Sequence, residues 1–401
     1  MRVLVGWDEA DEFELLSMYL EVGGTEVTLV RDPGGLVAAF SSGGFDVVLM
    51  PVTFPDGDRS FAAFEDLRRI ATEVPVIVAA RPGEIYPLSR FIRHGVKAHV
   101  YRDPAKDYLF LMQTLLESAL AAQRAEQARL LAEQLRSEVE SVRKLQESII
   151  PRNMSAPPGY ELVARYEPSQ IQVSGDKPVV LAGGDYYYAF QLAGGKLVFL
   201  VGDASGHGIK ACMAIMSMHT LINQLQEELN GTPADFVTKI NRQLCRQQLV
   251  QDQGGFITLI YGVLDRGILR WTSAGHCLPL LQDFATGEIA ELGEAERDGG
   301  LPLAVCEDSE YVTVTTELPR ACRLMIYTDG IVEAMPLGRE HQQFGLEGVR
   351  RTLDRCRALP PTETIDALFQ DSQAFTSGGG RHDDTSVLLL ERHSRLDSLG
   401  S

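Results

Sequence analysis

Four short motifs place aspartates beside apolar runs: Ala182-Gly183-Gly184-Asp185-Tyr186-Tyr187, Val201-Gly202-Asp203-Ala204-Ser205-Gly206-His207-Gly208, Tyr327-Thr328-Asp329-Gly330 and Arg381-His382-Asp383-Asp384-Thr385. Each follows or begins a run of strand-forming residues, and three have glycine beside the acid, so each reads as a carboxylate held at a strand end. Mg²⁺ and Mn²⁺ prefer oxygen ligands and keep several waters, so a site for two of them needs a few spaced carboxylates and little histidine or cysteine. Two such ions about 3.5–4 Å apart bridge a water, lower its pKa and steady the attacking and leaving oxygens of a phosphoryl group. The chemistry implied is phosphoester hydrolysis. An isolated Asp-Gly reads as a turn; the argument for a site rests on the four motifs together.

Their context carries a resemblance. It runs through Leu145-Gln146-Glu147-Ser148-Ile149-Ile150-Pro151, Tyr160-Glu161-Leu162-Val163-Ala164-Arg165-Tyr166, Gly255-Phe256-Ile257-Thr258-Leu259, Ala274-Gly275-His276 and Gly300-Leu301-Pro302-Leu303, together with the four acidic motifs. Residues from about Leu145 to Arg392 resemble the bacterial branch of the protein phosphatase 2C (PPM) superfamily, the SpoIIE-type phosphatases of sporulation and sigma-factor regulation. The resemblance implies an α+β four-layer α-β-β-α sandwich with two divalent metal ions, Mn²⁺ or Mg²⁺, at one edge of its sheets. By position, Asp203 would bridge both ions and the Ala204 carbonyl would complete the first site. Asp329 and Asp383 would hold the second ion, Asp185 would bind near the first directly or through water, and Asp384 would stand behind the ligands. Asp185, Asp203, Asp329 and Asp383 form the implied catalytic set. The implied reaction is attack of metal-bound water on a phosphoserine or phosphothreonine of a regulatory protein, such as a phosphorylated anti-sigma-factor antagonist.

Two departures stand against the family pattern. Tyr188 occupies the position, three residues after Asp185, where relatives usually carry a second acid. The segment between Pro168 and Gly183 is longer than usual, and Ile171-Gln172-Val173, Ser174-Gly175-Asp176-Lys177 and Pro178-Val179-Val180-Leu181 read as an added hairpin, either a rim of the site or a surface insertion. A catalytically inactive scaffold that binds signalling partners is the alternative to an enzyme. His207 reads as a packing residue or a proton donor to the leaving group, and His276 as a residue hydrogen-bonded within the fold. The six cysteines show no Cys-x-x-Cys spacing and read as thiols of a reducing compartment.

The remaining chain must position and control this machinery. Its 401 residues, 45% hydrophobic, suffice for two cores. No apolar run is long enough to span a bilayer and Met1 to Asp8 reads as a strand start, so the expected location is cytoplasmic, away from membranes. A formal net charge of −18 disfavours nonspecific binding to nucleic acid.

Arg2–Val5, Glu26–Val30, Val47–Met50, Val76–Ala79 and Ala98–Tyr101 read as strands, separated by helices such as Phe13–Glu21 and Phe61–Ile70. That alternation predicts an α/β, flavodoxin-like doubly wound sheet. It resembles a response-regulator receiver domain, but Pro51 stands where the phosphoacceptor aspartate belongs, Trp7 replaces an acid ahead of Asp8 and Glu9, Ala80 the switch hydroxyl and Arg102 the lysine. A pseudo-receiver follows, with Asp46, Asp56 and Asp58 the only nearby acids. From Asp107 to Ile149 the chain lacks Gly and Pro and predicts one long helix. Leu131, Leu135, Val142, Leu145 and Ile149 form a seam for a coiled coil, and so a homodimer, or for packing on the chain's own catalytic part. The expected divisions are 1–110 (pseudo-receiver), 111–150 (helical linker), 151–393 (phosphatase) and 394–401 (flexible tail).

Overall fold

Five short apolar runs, each too brief to form a stable sheet by itself, assemble side by side in the first part of the molecule. In this computed structural model the described residues are 1–393 except 23, 152–153, 172–178, 181–182, 193, 207, 226–230, 248–254, 337–341 and 379. The chain divides into two compact units, Met1–Leu135 and Arg136–Ser401.

In the first unit the strands are β1 (Arg2–Gly6), β2 (Glu26–Val30), β3 (Val47–Pro51), β4 (Val76–Ala80) and β5 (Ala98–Tyr101). They pair in parallel in the order β2-β1-β3-β4-β5, the flavodoxin-like order. The helices are α1 (Ala10–Val22), α2 (Pro33–Ser41), α3 (Gly57–Ile70), α4 (Ile85–Arg93) and, as far as Leu135, α5 (Tyr108–Ile149), whose remaining turns belong to the second unit. β3 and β4 are buried along their whole length, as expected for parallel strands covered on both faces. Alternation along the strands sends Val48, Met50 and Val78 towards Phe61, Phe64 and Phe91, and Val47, Leu49 and Ile77 towards Leu16, Leu20 and Met112.

At the carboxyl ends of these strands the expected acid pocket is closed by arginines. Arg102 lies 4.4 Å from the Trp7 ring centre and donates to Asp8 at 2.8 Å and Glu12 at 2.7 Å, while Arg81 pairs with Asp8 and Glu9. Pro51 ends β3, its carbonyl accepting from Ser60 Oγ at 2.6 Å. The nearby acids have structural work: Asp46 accepts from the Arg2 amide, Asp56 caps α3 and Asp58 pairs with Arg90.

The second unit contains two five-stranded antiparallel sheets. One has the order β15-β12-β11-β10-β9, comprising β9 (Asp185–Gln191), β10 (Leu197–Ala204), β11 (Ile257–Asp265), β12 (Ile268–Ala274) and β15 (Val314–Glu317). The other has the order β14-β13-β16-β17-β6, comprising β6 (Tyr160–Glu167), β13 (Leu280–Asp283), β14 (Ile289–Glu291), β16 (Cys322–Tyr327) and β17 (Thr385–Arg392). The helices are α6 (Ile209–Gln224), α7 (Pro233–Cys245), the single turn α8 (Ala295–Asp298), α9 (Gly345–Arg355) and α10 (Pro361–Phe375).

Strand alternation fixes the layers. Val198 and Leu200 pack under α6 and α7, whereas Phe199 and Val201 face the other sheet, where Leu324, Ile326, Leu388 and Leu390 meet them. On the far side Met325, Val387 and Leu389 pack against Leu353, Leu368 and Phe369 of α9 and α10. The result is the α-β-β-α sandwich. The added hairpin is seen at its base, where β7 (Gln170–Ile171) pairs with β8 (Val179–Val180); its turn lies outside the described residues. Of the helical seam, Leu131, Leu135 and Leu145 are exposed, whereas Ile149 packs into the core beneath α6 and α7.

Candidate active site

The carboxylates gather where the inter-sheet layer ends. Asp185 opens β9 and Asp203 lies directly opposite it on β10, and paired residues of antiparallel strands project to the same face. Counting by twos from Tyr187, Phe199 and Val201 puts both acids on the inter-sheet face. From the second sheet, Asp329 begins the 3₁₀ turn Asp329–Ile331 after β16, and Asp383 and Asp384 immediately precede β17. Thr328 ties the sheets together. Its buried Oγ1 donates to Asp185 Oδ2 at 2.7 Å and accepts from the Ser386 amide at 2.8 Å.

The Gly183-Gly184 loop is held from two directions. Asp384 accepts from the Ser169 amide at 2.7 Å and from the Gly184 amide at 2.6 Å, so both its oxygens are committed to backbone. Gln146, near the end of α5 and 1% exposed, accepts from the Gly183 amide at 2.7 Å and donates to the Asp185 carbonyl at 3.3 Å. A Cβ on Gly184 would stand 2.6 Å from the Ala204 carbonyl, 3.0 Å from Asp203 Oδ1 and 3.2 Å from the Gly206 carbonyl. Glycine is required there because three oxygens converge on that space.

Burial and mutual repulsion dominate the electrostatics. Asp185 is pushed well above the ordinary carboxylate range by burial, then by Asp203 and Asp384, against which the Thr328 hydroxyl works. Asp203 is pushed up to about 8 by burial and then by Asp329, Asp383 and Asp384. Asp329 is raised by burial and by Asp383. Asp203 thus feels Asp329, Asp383 and Asp384 as repelling charges, while a hydrogen bond with Asp185 works the other way. One oxygen of Asp185, Oδ1, is buried without a hydrogen-bond partner.

These features suit hard cations: an all-oxygen donor set, an orphaned buried carboxylate oxygen and acids whose ionisation lacks any nearby cationic side chain among their major influences. Among the described residues no three His, Cys, Asp or Glu side chains close around a single point. The fit is to ions that take a few carboxylates and complete their shell with carbonyls and water.

The other residues singled out from sequence fall as follows. Tyr188 lies on the opposite face of β9 from Asp185, packed beneath α6 and α7 with Tyr186, Phe190 and His219. The departure from the family pattern is therefore not on the carboxylate face. His276 is buried within hydrogen-bond distance of Thr258 Oγ1, 2.8 Å, and burial takes it down to about 4, so it is neutral and structural. His207 lies outside the described residues. All six cysteines are free, and burial raises the Cys212 thiol to about 11 and the Cys277 and Cys322 thiols to about 12. Sequence reasoning assigned no role to Gln146 or Thr328; their importance comes from tertiary contacts, although Gln146 stands in the lead-in motif and Thr328 beside Asp329.

Residues 193–393 match the family described as Stage II sporulation protein E (SpoIIE). The chain belongs to this family. It is similar to the phosphoserine phosphatase RsbU of Bacillus subtilis (strain 168), 21% identical over 313 residues covering 78% of this chain and 87% of that protein. It is also similar to Protein IcfG of Synechocystis sp. (strain ATCC 27184 / PCC 6803 / Kazusa), 23% identical over 64% of this chain but only 42% of that protein. Among solved structures, the SiaA-PP2C domain of Pseudomonas aeruginosa superposes with a TM-score of 0.53 at 17% identity, covering 65% of this chain and 98% of that one. This likeness shows a shared fold, the PP2C-type sandwich.

Proposed function

We propose that this SpoIIE-family chain is a metal-dependent protein serine/threonine phosphatase of bacterial signalling. The observation that carries this reading is the position of Asp203, opposite Asp185 and within electrostatic reach of Asp329, Asp383 and Asp384. Asp203 would contact both of two divalent ions, Mn²⁺ or Mg²⁺. The Ala204 carbonyl and Asp185 would serve the first, and Asp329 and Asp383 the second. Bound there, such ions would supply Lewis acidity for phosphoester hydrolysis and lower the pKa of water.

The chain's own groups do the positioning. Thr328 orients Asp185 by donating to Oδ2, leaving Oδ1 free to face a ligand. Asp384 and Gln146 fix the loop that presents Asp185, and Gly184 keeps the neighbouring space clear. The similarity to the phosphoserine phosphatase RsbU supports a phosphoserine substrate; phosphothreonine as a further substrate, and a phosphorylated anti-sigma-factor antagonist as the regulatory protein that carries the phosphate, are parts of the same proposal.

The domain plan proposed is a pseudo-receiver at 1–110, a helical linker at 111–150, the phosphatase at 151–393 and a tail at 394–401. The pairing of Asp8, Glu9 and Glu12 with Arg81 and Arg102, and Pro51 at the end of β3, support an N-terminal domain that is not controlled by phosphorylation. The exposed Leu131 and Leu135 support a homodimer through α5. Among the described residues no helix is long and apolar enough to cross a membrane.

The test is hydrolysis of a small aryl phosphate by the intact chain under Mn²⁺ titration, with Asp203→Asn, Asp329→Asn and Asp383→Asn alongside. Activity dependent on the metal and abolished most completely by Asp203→Asn is expected. Full turnover in chelator, or wild-type rates in all three variants, would overturn the assignment.

A further inference from the structure

At the end of the first unit's sheet opposite the Trp7–Arg102 cluster, a cleft of about 280 Å³ opens between the amino ends of β4 and β5 and the flank of α5. Its apolar surface includes Pro75, Leu115, Ala119 and Ala122, and the small side chains on α5 are what leave the space open. Larger residues at these positions would fill the space between the helix and the sheet.

Two cations, Arg68 and Lys97, stand on this lining. Arg68 donates through Nη1 to the Thr72 carbonyl at 2.7 Å, and among the described residues neither cation has a carboxylate within ion-pair distance. Glu126 lies within electrostatic reach of Lys97 but is held by Arg129 at 2.8 Å. In a chain of formal net charge −18, these two cations stand together on the lining of one cleft that also carries apolar surface. Long basic side chains that lay their stems on apolar surface and present their charge at its rim match a ligand with a hydrophobic body and one anionic end.

We propose that this cleft is a binding site for a small amphipathic carboxylate, its carboxylate between Arg68 and Lys97 and its hydrocarbon body against Pro75, Leu115, Ala119 and Ala122. Such a ligand inserts between the sheet and α5, the helix that runs on to Ile149. The site does not depend on the phosphatase reading, because every residue that lines it belongs to the first unit.

Octanoate is the probe and octan-1-ol, of the same body without the charge, is the control. Isothermal titration of the intact chain should show saturable one-to-one binding of octanoate, with octan-1-ol weaker by about ten-fold or more. Lys97→Glu should weaken octanoate by about ten-fold while leaving octan-1-ol within about two-fold, since it alters charge and not the apolar floor. Ala122→Phe, which fills the cleft from an exposed helix position, should abolish both. Circular dichroism and melting curves check that each variant is folded, and Arg68→Gln provides a second charge variant that does not introduce repulsion. Absence of saturable octanoate binding would overturn the proposal. So would equal affinity for octanoate and octan-1-ol, or octanoate binding unchanged in folded Lys97→Glu, Arg68→Gln and Ala122→Phe.

Discussion

Replacing Asp203 by asparagine should make the metal-free chain more stable while removing its activity, and the gain should grow with pH. Burial and then Asp329, Asp383 and Asp384 hold the Asp203 carboxyl up to about 8, and Asp185 directly opposite is raised by burial and by Asp203 itself. The two titrate as a unit. A carboxyl whose folded-state pKa exceeds its unfolded value binds more protons when folded. Its favourable contribution is intact below pH about 4 and is lost at about 1.4 kcal/mol per pH unit as pH rises towards about 8. Fully expressed, that loss is roughly 5 kcal/mol, and side-chain relaxation with water entry at the open end of the layer reduces it by about half.

Asparagine keeps the shape without the charge. In chelator, Asp203→Asn should therefore exceed the wild type by about 2–3 kcal/mol at pH 8.5 and by less than about 1 kcal/mol at pH 5. Urea unfolding at both pH values measures this difference. Saturating Mn²⁺ should stabilise the wild type, most strongly at pH 8.5 because binding displaces protons, and should leave the variant almost unmoved. A variant less stable than wild type in chelator at pH 8.5, or a difference equal at both pH values, would refute the electrostatic reasoning.

Other outcomes follow from the same contacts. Gln146→Leu leaves the buried Gly183 amide without its acceptor and should cost about 1–3 kcal/mol in urea unfolding, with weaker Mn²⁺ binding by calorimetry. Incubation with a small phosphodonor followed by intact-mass and peptide mapping should show no acyl phosphate near Pro51, because the carboxylates around Trp7 are engaged by Arg81 and Arg102. Replacing Leu135 and Val142 with charged residues should turn a sedimenting dimer into monomers with altered turnover while the isolated catalytic part stays folded; a wild-type monomer at tens of micromolar contradicts that interface.

The parallel sheet was legible in the sequence because β3 and β4 are continuous apolar runs flanked by amphipathic helices, which leaves few alternatives. The helix from Tyr108 to Ile149 was equally legible from its lack of glycine and proline. The acid motifs could be placed at strand ends because glycine and polar residues interrupt the apolar runs there. The pairing of Asp203 with Asp185 depends on strand register, and strand register is set by distant partners. The same limit hid Gln146, which acts across 37 and 39 residues of chain, and the commitment of both Asp384 oxygens to amides 215 and 200 residues away. Tyr188 reads from sequence as a departure beside the acid motif, and only the pleat of β9 turns it away from the carboxylates towards α6 and α7. The helical seam is split by its surroundings, since Ile149 is used by the core while Leu131 and Leu135 are not.

The most direct test of the central claim is phosphate release from a phosphoserine-bearing regulatory protein by the intact chain while free Mn²⁺ is stepped from chelated to saturating. The account predicts no release in chelator, a rise that saturates with two ions bound per chain, and no release by Asp203→Asn at any Mn²⁺ concentration. Release that persists in chelator, or that Asp203→Asn retains at saturating Mn²⁺, would contradict it.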